Sequence, residues 1–345
     1  MDQIQEKYFV SDKAVELLKI LKKSGKWQLP AELAIDLKLR REALFEAIDE
    51  LFEIGYGLEF HPYFGLRLIN LPNAFIPGEI TNNLNVNVIN KDLKILKGVT
   101  SSIKSAFQML ESGDADEGTI VLADEQPEIK TWVDHDWFST GIYGICLAIV
   151  LKLPSLEVEK SKYLNLIGTL SIAYTLTDNI HIPAKIVFPS SIYVYNKKIG
   201  DVIVKHNVNF PDYLVMGINV NVNMDEDDFP EEFAGRATSV KIESGHSVNR
   251  NEILRYLLFN LDNLVNKLRK RKYRPLEMLW RDYCALTPRA EGEEIIVLVK
   301  TNAGEFEGSV ISSDPIAGIR IKLASTNDEK SFTIDDVESV TIQSQ

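Results

Sequence analysis

Residues 40–69 read RREALFEAIDELFEIGYGLEFHPYFGLRLI, and this stretch decides how the N-terminal part of the chain is built. Leu44, Ala47, Ile48 and Leu51 recur three and four residues apart, which predicts an amphipathic helix from about residue 40 to residue 52. Gly55-Tyr56-Gly57 punctuates its end. Leu58-Glu59-Phe60 and Leu66-Arg67-Leu68-Ile69 then alternate around His61-Pro62-Tyr63-Phe64-Gly65, the pattern of a hairpin. Upstream, Val15, Leu17, Leu18 and Leu21 share helical spacing and stop at Ser24-Gly25-Lys26. Leu29-Pro30 opens a second helix over residues 31–37, with Pro near its first turn. Three helices followed by a hairpin make a winged helix-turn-helix over residues 1–70.

In such a domain the third helix enters the major groove and neighbouring cations meet phosphates. Arg40 and Arg41, at the N-terminal end of that helix, are the candidate DNA contacts. Residues 40–53 set these two arginines against five carboxylates (Glu42, Glu46, Asp49, Glu50, Glu53), a net of −3. The first helix and its turn are basic, with Lys13, Lys19, Lys22, Lys23 and Lys26. Two uses stay open here: sequence-specific DNA binding and protein interaction. The formal charge of −12 over 345 residues works against broad nucleic-acid binding.

Leu71-Pro72-Asn73 and the polar, Asn-rich residues 81–90 mark a linker or domain boundary. Beyond it, residues 119–123 and 143–149 are short apolar runs that predict strands buried in a sheet. Residues 163–176 predict a buried helix, residues 192–204 a hairpin about Asn196-Lys197-Lys198, and residues 213–222 another strand. A long helix over residues 251–272 carries the stripe Ile253, Leu254, Leu257, Leu258, Leu261, Leu264, Val265 and Leu268. Residues 295–299, 304–308, 319–323 and 331–334 form short alternating segments about ten residues apart, which predicts a small SH3-like barrel.

Composition sets further bounds. Hydrophobic residues are 45% and charged residues 26% of the chain, as in ordinary globular proteins. No apolar run reaches the ~20 residues that span a bilayer, and the first residues lack a basic segment followed by an apolar one. Cys146 and Cys284 stand in apolar settings and are expected as buried free thiols. Together these features point to the cytoplasm and away from a membrane. Asp134-His135-Asp136 is the one histidine-carboxylate group that invites a metal, but its spacing is no metal signature, so no metal is expected.

The order of winged helix, mixed α/β domain and terminal barrel resembles the bifunctional biotin protein ligases that also repress biotin operons. Several stretches carry the resemblance, and their order and spacing hold over roughly 330 residues. Leu66-Arg67-Leu68 followed by Leu71-Pro72 looks like that family's passage from wing to central domain. Val99-Thr100-Ser101-Ser102 stands at its Asp-Ser-Thr-Asn turn against biotin. Residues 123–139 match the length of its Gly- and Arg-rich ligand loop with flanks and close on the same Trp137-Phe138-Ser139. Val187-Phe188-Pro189-Ser190-Ser191 stands at its Lys-Trp-Pro-Asn-Asp motif, and Lys198-Ile199-Gly200-Asp201 at its Lys-Leu-Ala-Gly turn. Met216-Gly217-Ile218-Asn219 resembles its Gly-Ile-Gly-Ile-Asn strand, and Ala237-Thr238-Ser239 also matches. The resemblance implies an α+β chain with a class II synthetase-like central domain over residues 71–288 and an SH3-like barrel over residues 289–345. It implies ATP-dependent joining of biotin to AMP, transfer of biotin from biotinyl-AMP to a lysine of a carrier domain, and a homodimer formed through the central domain. The candidate ligand-binding residues it carries over are Ser101, Ser102, Gln126, Lys130, Trp132, Lys198 and Asn219.

The departures from the pattern have chemical consequences. Ligation stabilises charge on an α-phosphate with preorganised cations and backbone N–H groups. The family's Gly-Arg-Gly-Arg-x-Gly-Arg loop supplies both. Here the segment reads Ile129-Lys130-Thr131-Trp132-Val133-Asp134-His135, with no glycine and with Lys130 alone as a cation. Asp134 and Asp136 add negative charge; two like charges ~4 Å apart at an effective dielectric of ~20 repel by roughly 4 kcal/mol. Val187 replaces the family's catalytic lysine, and Ser190-Ser191 its Asn-Asp pair. No catalytic residue is therefore assigned.

Three functions follow. The first is a non-catalytic, ligase-like regulator or adaptor, a pseudoenzyme. The second is a divergent active biotin ligase and operon repressor using biotin and ATP, with Lys130 and Lys198 as its phosphate cations. The third is a DNA-binding repressor that senses another small effector. The basic cluster Lys267, Arg269, Lys270, Arg271, Lys272 and Arg274 reads as a helix C-terminus satisfying its dipole.

Overall fold

The computed structural model describes residues 11–72, 74–81, 84–89, 92–97, 101–125, 143–152, 158–287 and 294–343. The chain divides into two compact units. One holds residues up to Leu84 together with Asn249–Glu252; the other holds Asn85–Val248 and the chain from Ile253 onward. The division falls inside the polar stretch 81–90.

In the first unit, α1 (Asp12–Ser24), α2 (Pro30–Asp36) and α3 (Arg41–Ile54) are followed by β1 (Gly57–His61), β2 (Gly65–Asn70) and α4 (Pro77–Thr81). Ser11 caps α1 by accepting from the Ala14 N–H, and Gly25 ends it in the left-handed region. Leu17, Leu21, Leu33, Leu44, Ile48, Leu51 and Leu66 meet in one core. α3 runs two residues past the expected end because Ile54 continues the buried stripe and only Gly55, at φ 100°, breaks it. β1 and β2 pair antiparallel, His61 opposite Gly65. Glu79 ties the unit together: it accepts from the Tyr56 hydroxyl, from Lys22 at 2.8 Å and from Asn249 Nδ2 at 3.1 Å.

The second unit contains a seven-stranded sheet built from β3 (Leu93–Lys97), β4 (Ile120–Glu125), β5 (Ile145–Lys152), β6 (Lys185–Val187), β7 (Ser191–Val194), β8 (Lys197–His206) and β9 (Tyr213–Val220). Its order is β3-β4-β5-β9-β8-β7-β6, with β3 and β4 parallel and the other neighbours antiparallel. This is the mixed α/β arrangement expected. β5 lies later than the expected 143–149 because Val150 and Leu151 go on pairing with Val215 and Leu214. One face is covered by α5 (Ser102–Ser112), whose Ile103, Ala106, Met109 and Leu110 pack on Val121, Ala148, Val150 and Val215. Gly217 permits that approach, since a Cβ there would stand 2.5 Å from Ile103 Cδ1. On the other face, Gly168 of α6 (Val158–Tyr174) seats against Val202 and Met216. α6 passes into a π-helical turn, Thr175–Asn179, where a continuous helix to residue 176 is expected.

Two further helices, α7 (Val240–Ser244) and α8 (Arg250–Arg269), follow. α8 ends three residues before the expected 272, with Arg271 in the left-handed region at φ 55°. α9 (Tyr273–Tyr283) was not legible in the sequence; it buries Leu276 and Trp280. Finally β10 (Ile296–Thr301), β11 (Gly304–Asp314), β12 (Gly318–Leu323), β13 (Glu329–Phe332) and β14 (Val337–Ile342) form an antiparallel sheet ordered β13-β12-β11-β10-β14. β14, absent from the sequence expectation, pairs with β10. Both cysteines are buried and neither is in a disulfide, and burial pushes the Cys284 thiol above its ordinary range. Among the described residues no helix is long and apolar enough to cross a membrane.

Candidate ligand site on the sheet

Strand register places Ala123, Cys146, Asn219, Asp201 and Ser191 in one row across β4, β5, β9, β8 and β7. Residues directly opposite one another project from the same face, and this face is the one that carries α5. α5 covers the positions two and four residues along each strand, at Ala148, Val150 and Val215. The row itself lies at the N-terminal end of that helix: the Ser102 hydroxyl stands 3.8 Å from the Cys146 thiol. The helix thus turns its unsatisfied N–H groups and the positive end of its dipole toward the row.

Ser101 caps α5, its hydroxyl oxygen accepting from the Lys104 N–H at 3.2 Å. Ser102 is 1% exposed and Asn219 4%. The Asn219 side-chain oxygen, Oδ1, is buried with no hydrogen-bond partner among the described residues. An unpaired buried acceptor costs about 1–3 kcal/mol, so this atom is the most strongly motivated ligand contact in the row.

Lys198, at the start of β8, is held by its backbone and its side chain alike. Its N–H donates to Arg236 O and its carbonyl accepts from Thr238 N, at 2.8 and 2.9 Å. That pairing explains why Ala237-Thr238-Ser239 sits beside the site. Its ammonium meets Asp201 Oδ2 at 2.6 Å, both side chains about one-eighth exposed (13% and 14%). Asp201 Oδ1 also accepts from the Ser190 hydroxyl at 3.0 Å and from the Val202 N–H at 2.7 Å. Lys198, Asp201 and Ser190 therefore form a local network in which the ammonium is already neutralised. Val187, in β6, is fully buried, in an apolar place that offers nothing to a phosphate.

The structure thus brings Ser101, Ser102, Asn219 and Lys198 to one end of one sheet face. Gln126, Lys130 and Trp132, with Asp134, His135 and Asp136, lie outside the described residues. Among the described residues no cluster of histidine, cysteine and carboxylate side chains suits a metal. Arg40 and Arg41 belong to the first unit, where both are exposed and the Arg41 guanidinium lies over the Phe45 ring at 5.8 Å. Sequence reasoning gave no role to Cys146 or Asp201. The parity of the strands, 146 with 148 and 201 with 203, held that signal, but only the register reveals which face each parity takes.

No protein-family model matches the chain. Two curated relatives match over 302 residues. The bifunctional ligase/repressor BirA of Bacillus spizizenii is 26% identical, over 87% of this chain and 90% of that protein. BirA of Bacillus subtilis is 25% identical over the same shares. Among solved structures, the biotin protein ligase of Aquifex aeolicus in complex with biotin and ATP aligns with a TM-score of 0.59 at 23% identity, over 74% of this chain and all of that one. A biotin protein ligase-like protein of unknown function from Silicibacter sp. aligns with a TM-score of 0.51 at 14% identity, over 73% of this chain and 98% of that one. The structural likenesses show the biotin ligase fold. The curated relatives, bifunctional ligase/repressors, are similar to this chain over most of its length.

Proposed function

We propose that this protein is a regulator built on the biotin-ligase fold that has given up ligation. Its parts are a winged helix-turn-helix over residues 1–70, a ligase-like ligand domain over 71–288 and an SH3-like barrel over 289–345. The observation that carries the reading is the Lys198–Asp201–Ser190 network. A ligase must present uncompensated positive charge to an α-phosphate. Here Lys198 is matched by a carboxylate at 2.6 Å, and the resemblance puts the buried Val187 where the family's catalytic lysine stands. The row from Ser102 to Asn219 still offers polar groups to a small neutral ligand. The first unit supports a DNA- or protein-contacting role through α3 and the hairpin, and the family resemblance supports a homodimer. Regulation of transcription is the use that fits these parts together.

A second reading, an active biotin ligase and repressor, is favoured by the bifunctional BirA relatives matched over 87% of the chain. A carrier-biotinylation assay decides between the two. The purified chain is incubated with biotin, ATP and a biotin-accepting carrier domain, and the carrier is probed for biotin. The expected result is no biotin above a no-enzyme control; catalytic labelling would overturn the proposal and establish the second reading. Calorimetric titration with biotin, ATP and biotinyl-AMP then reports which part of the ligand the site still holds.

A further inference from the structure

We propose that the cleft along the C-terminal half of α8 binds a small, multiply charged phosphate anion, at a site separate from the row on the sheet. Residues 267–274 read KLRKRKYR, six cations in eight residues within a chain of net charge −12. A helix dipole accounts for cations in the last turn, but it does not account for what surrounds them. Asn260, Asn263, Lys267 and Lys270 follow one another three or four residues apart and so share a face of α8 and its end. Tyr174, from the end of α6, and Lys272, beyond the end of α8, complete a cleft of about 450 Å³. That volume suits a small ligand. Asn266 and the buried Leu264 also line it.

Among the described residues the lining thus carries three ammonium groups, three carboxamides and a phenol, and no carboxylate. The acids Asp178, Asp262 and Asp282 lie nearby, and Asp178 and Asp282 are close enough to act electrostatically on Tyr174. Asp178 accepts from the Tyr283 hydroxyl at 2.8 Å. Asp262 accepts three backbone N–H groups, from Asn87, Val88 and Ile89, and the Asn266 amide. Asn260 is fixed by donating to Thr175 Oγ1 and Asn179 Oδ1, each at 3.0 Å. Arg269, in the same basic run, points away from the cleft's lining, pairing with Glu117 and reaching the Lys152 carbonyl at 3.4 Å. Of the run's six cations, Lys267, Lys270 and Lys272 gather about one concave surface, Arg269 is held by Glu117, and Arg271 and Arg274 stand outside the lining. Lysine ammonium groups with the Asn263 amide beside them match the several oxygens of a phosphate.

The test is a calorimetric titration of the full chain with inorganic pyrophosphate at about 50 mM salt, where screening is weak. The expected result is saturable binding that weakens at least tenfold in the Lys267→Ala/Lys270→Ala variant, with an unchanged thermal midpoint. Asn263→Asp, which sets a carboxylate on the exposed rim, should weaken binding similarly and serves if the double variant is destabilised. No binding by the wild-type chain up to millimolar pyrophosphate would overturn the proposal. Equal affinity in the variants would overturn it too, by placing the anion elsewhere, including the row on the sheet. Binding of duplex DNA, but not of pyrophosphate, that is lost in the same variants would replace it with a nucleic-acid surface.

Discussion

Asp201 is the residue on which the proposed loss of ligation turns. Its carboxylate accepts from Lys198, from Ser190 and from the Val202 N–H, so the site's retained cation is neutralised before any ligand arrives. Asp201→Asn keeps an acceptor for Val202 and removes the charge. We expect this variant to bind ATP or biotinyl-AMP at least tenfold more tightly than the wild type, a gain of about 1.4 kcal/mol; calorimetry would measure it, and an unchanged affinity would count against the network as the obstacle. Asp262 shows the same chemistry used for structure. It is 1% exposed and its two oxygens take the N–H groups of Asn87, Val88 and Ile89 at 3.0, 2.7 and 2.9 Å. Asp262→Ala would orphan these donors, at about 1–3 kcal/mol for each one that water cannot reach. Urea denaturation should show a loss of about 3 kcal/mol or more, and a loss below about 1 kcal/mol would mean that the segment finds other acceptors.

At the scale of elements, the hairpin β1–β2 turns on Gly65, a position with no room for a side chain. Gly65 has φ 89°, and a Cβ there would stand 2.1 Å from the Gln28 carbonyl oxygen. That carbonyl accepts from Leu66 N, and Gln28 N donates to Leu66 O, both at 2.8 Å. Gly65→Ala must therefore strain the turn and push the hairpin from the segment before α2. We expect a drop in thermal midpoint of several degrees, equivalent to about 1–3 kcal/mol, and weakening of any DNA or partner binding that uses the hairpin. A variant as stable as the wild type would show that the segment at Gln28 yields freely. α5 illustrates the opposite case. Ordinary packing of Ile103, Ala106 and Met109 on the sheet fixes its position, and its N-terminus reaches the polar row as a consequence.

For the whole molecule, the division into two units puts the candidate ligand row in one unit and α3 in the other. The exposed surface of α3 carries Arg41, Glu42, Glu46, Asp49, Phe52 and Glu53, more acid than base. If the first unit contacts DNA, the contact rests on Arg40 and Arg41. The Arg40→Ala/Arg41→Ala variant should then lose at least tenfold in a gel-shift assay on a promoter fragment at fixed salt. DNA binding that survives the double substitution would move the contact to the lysines of α1 or the hairpin. Binding absent from the wild type would favour the protein-interaction use of this unit.

Much of this protein was legible in its sequence because the signals are local. Helical spacing at Leu44, Ala47, Ile48 and Leu51, glycines that favour the left-handed region at helix ends, and strands bounded by turn residues are properties of short windows. The mixed α/β architecture follows from their order. The ligand row was legible only in part, since Ser101, Ser102, Lys198 and Asn219 could be singled out along the chain but not joined. Asp201 closed the Lys198-Ile199-Gly200-Asp201 turn without a role, and α9 and β14 went unseen because their sparse apolar positions acquire meaning only against a neighbour. Register between strands far apart in sequence decided that Cys146, Asn219 and Asp201 share a face. Such pairing is set by the packing of the whole sheet between α5 and α6, so no window of the sequence contains it.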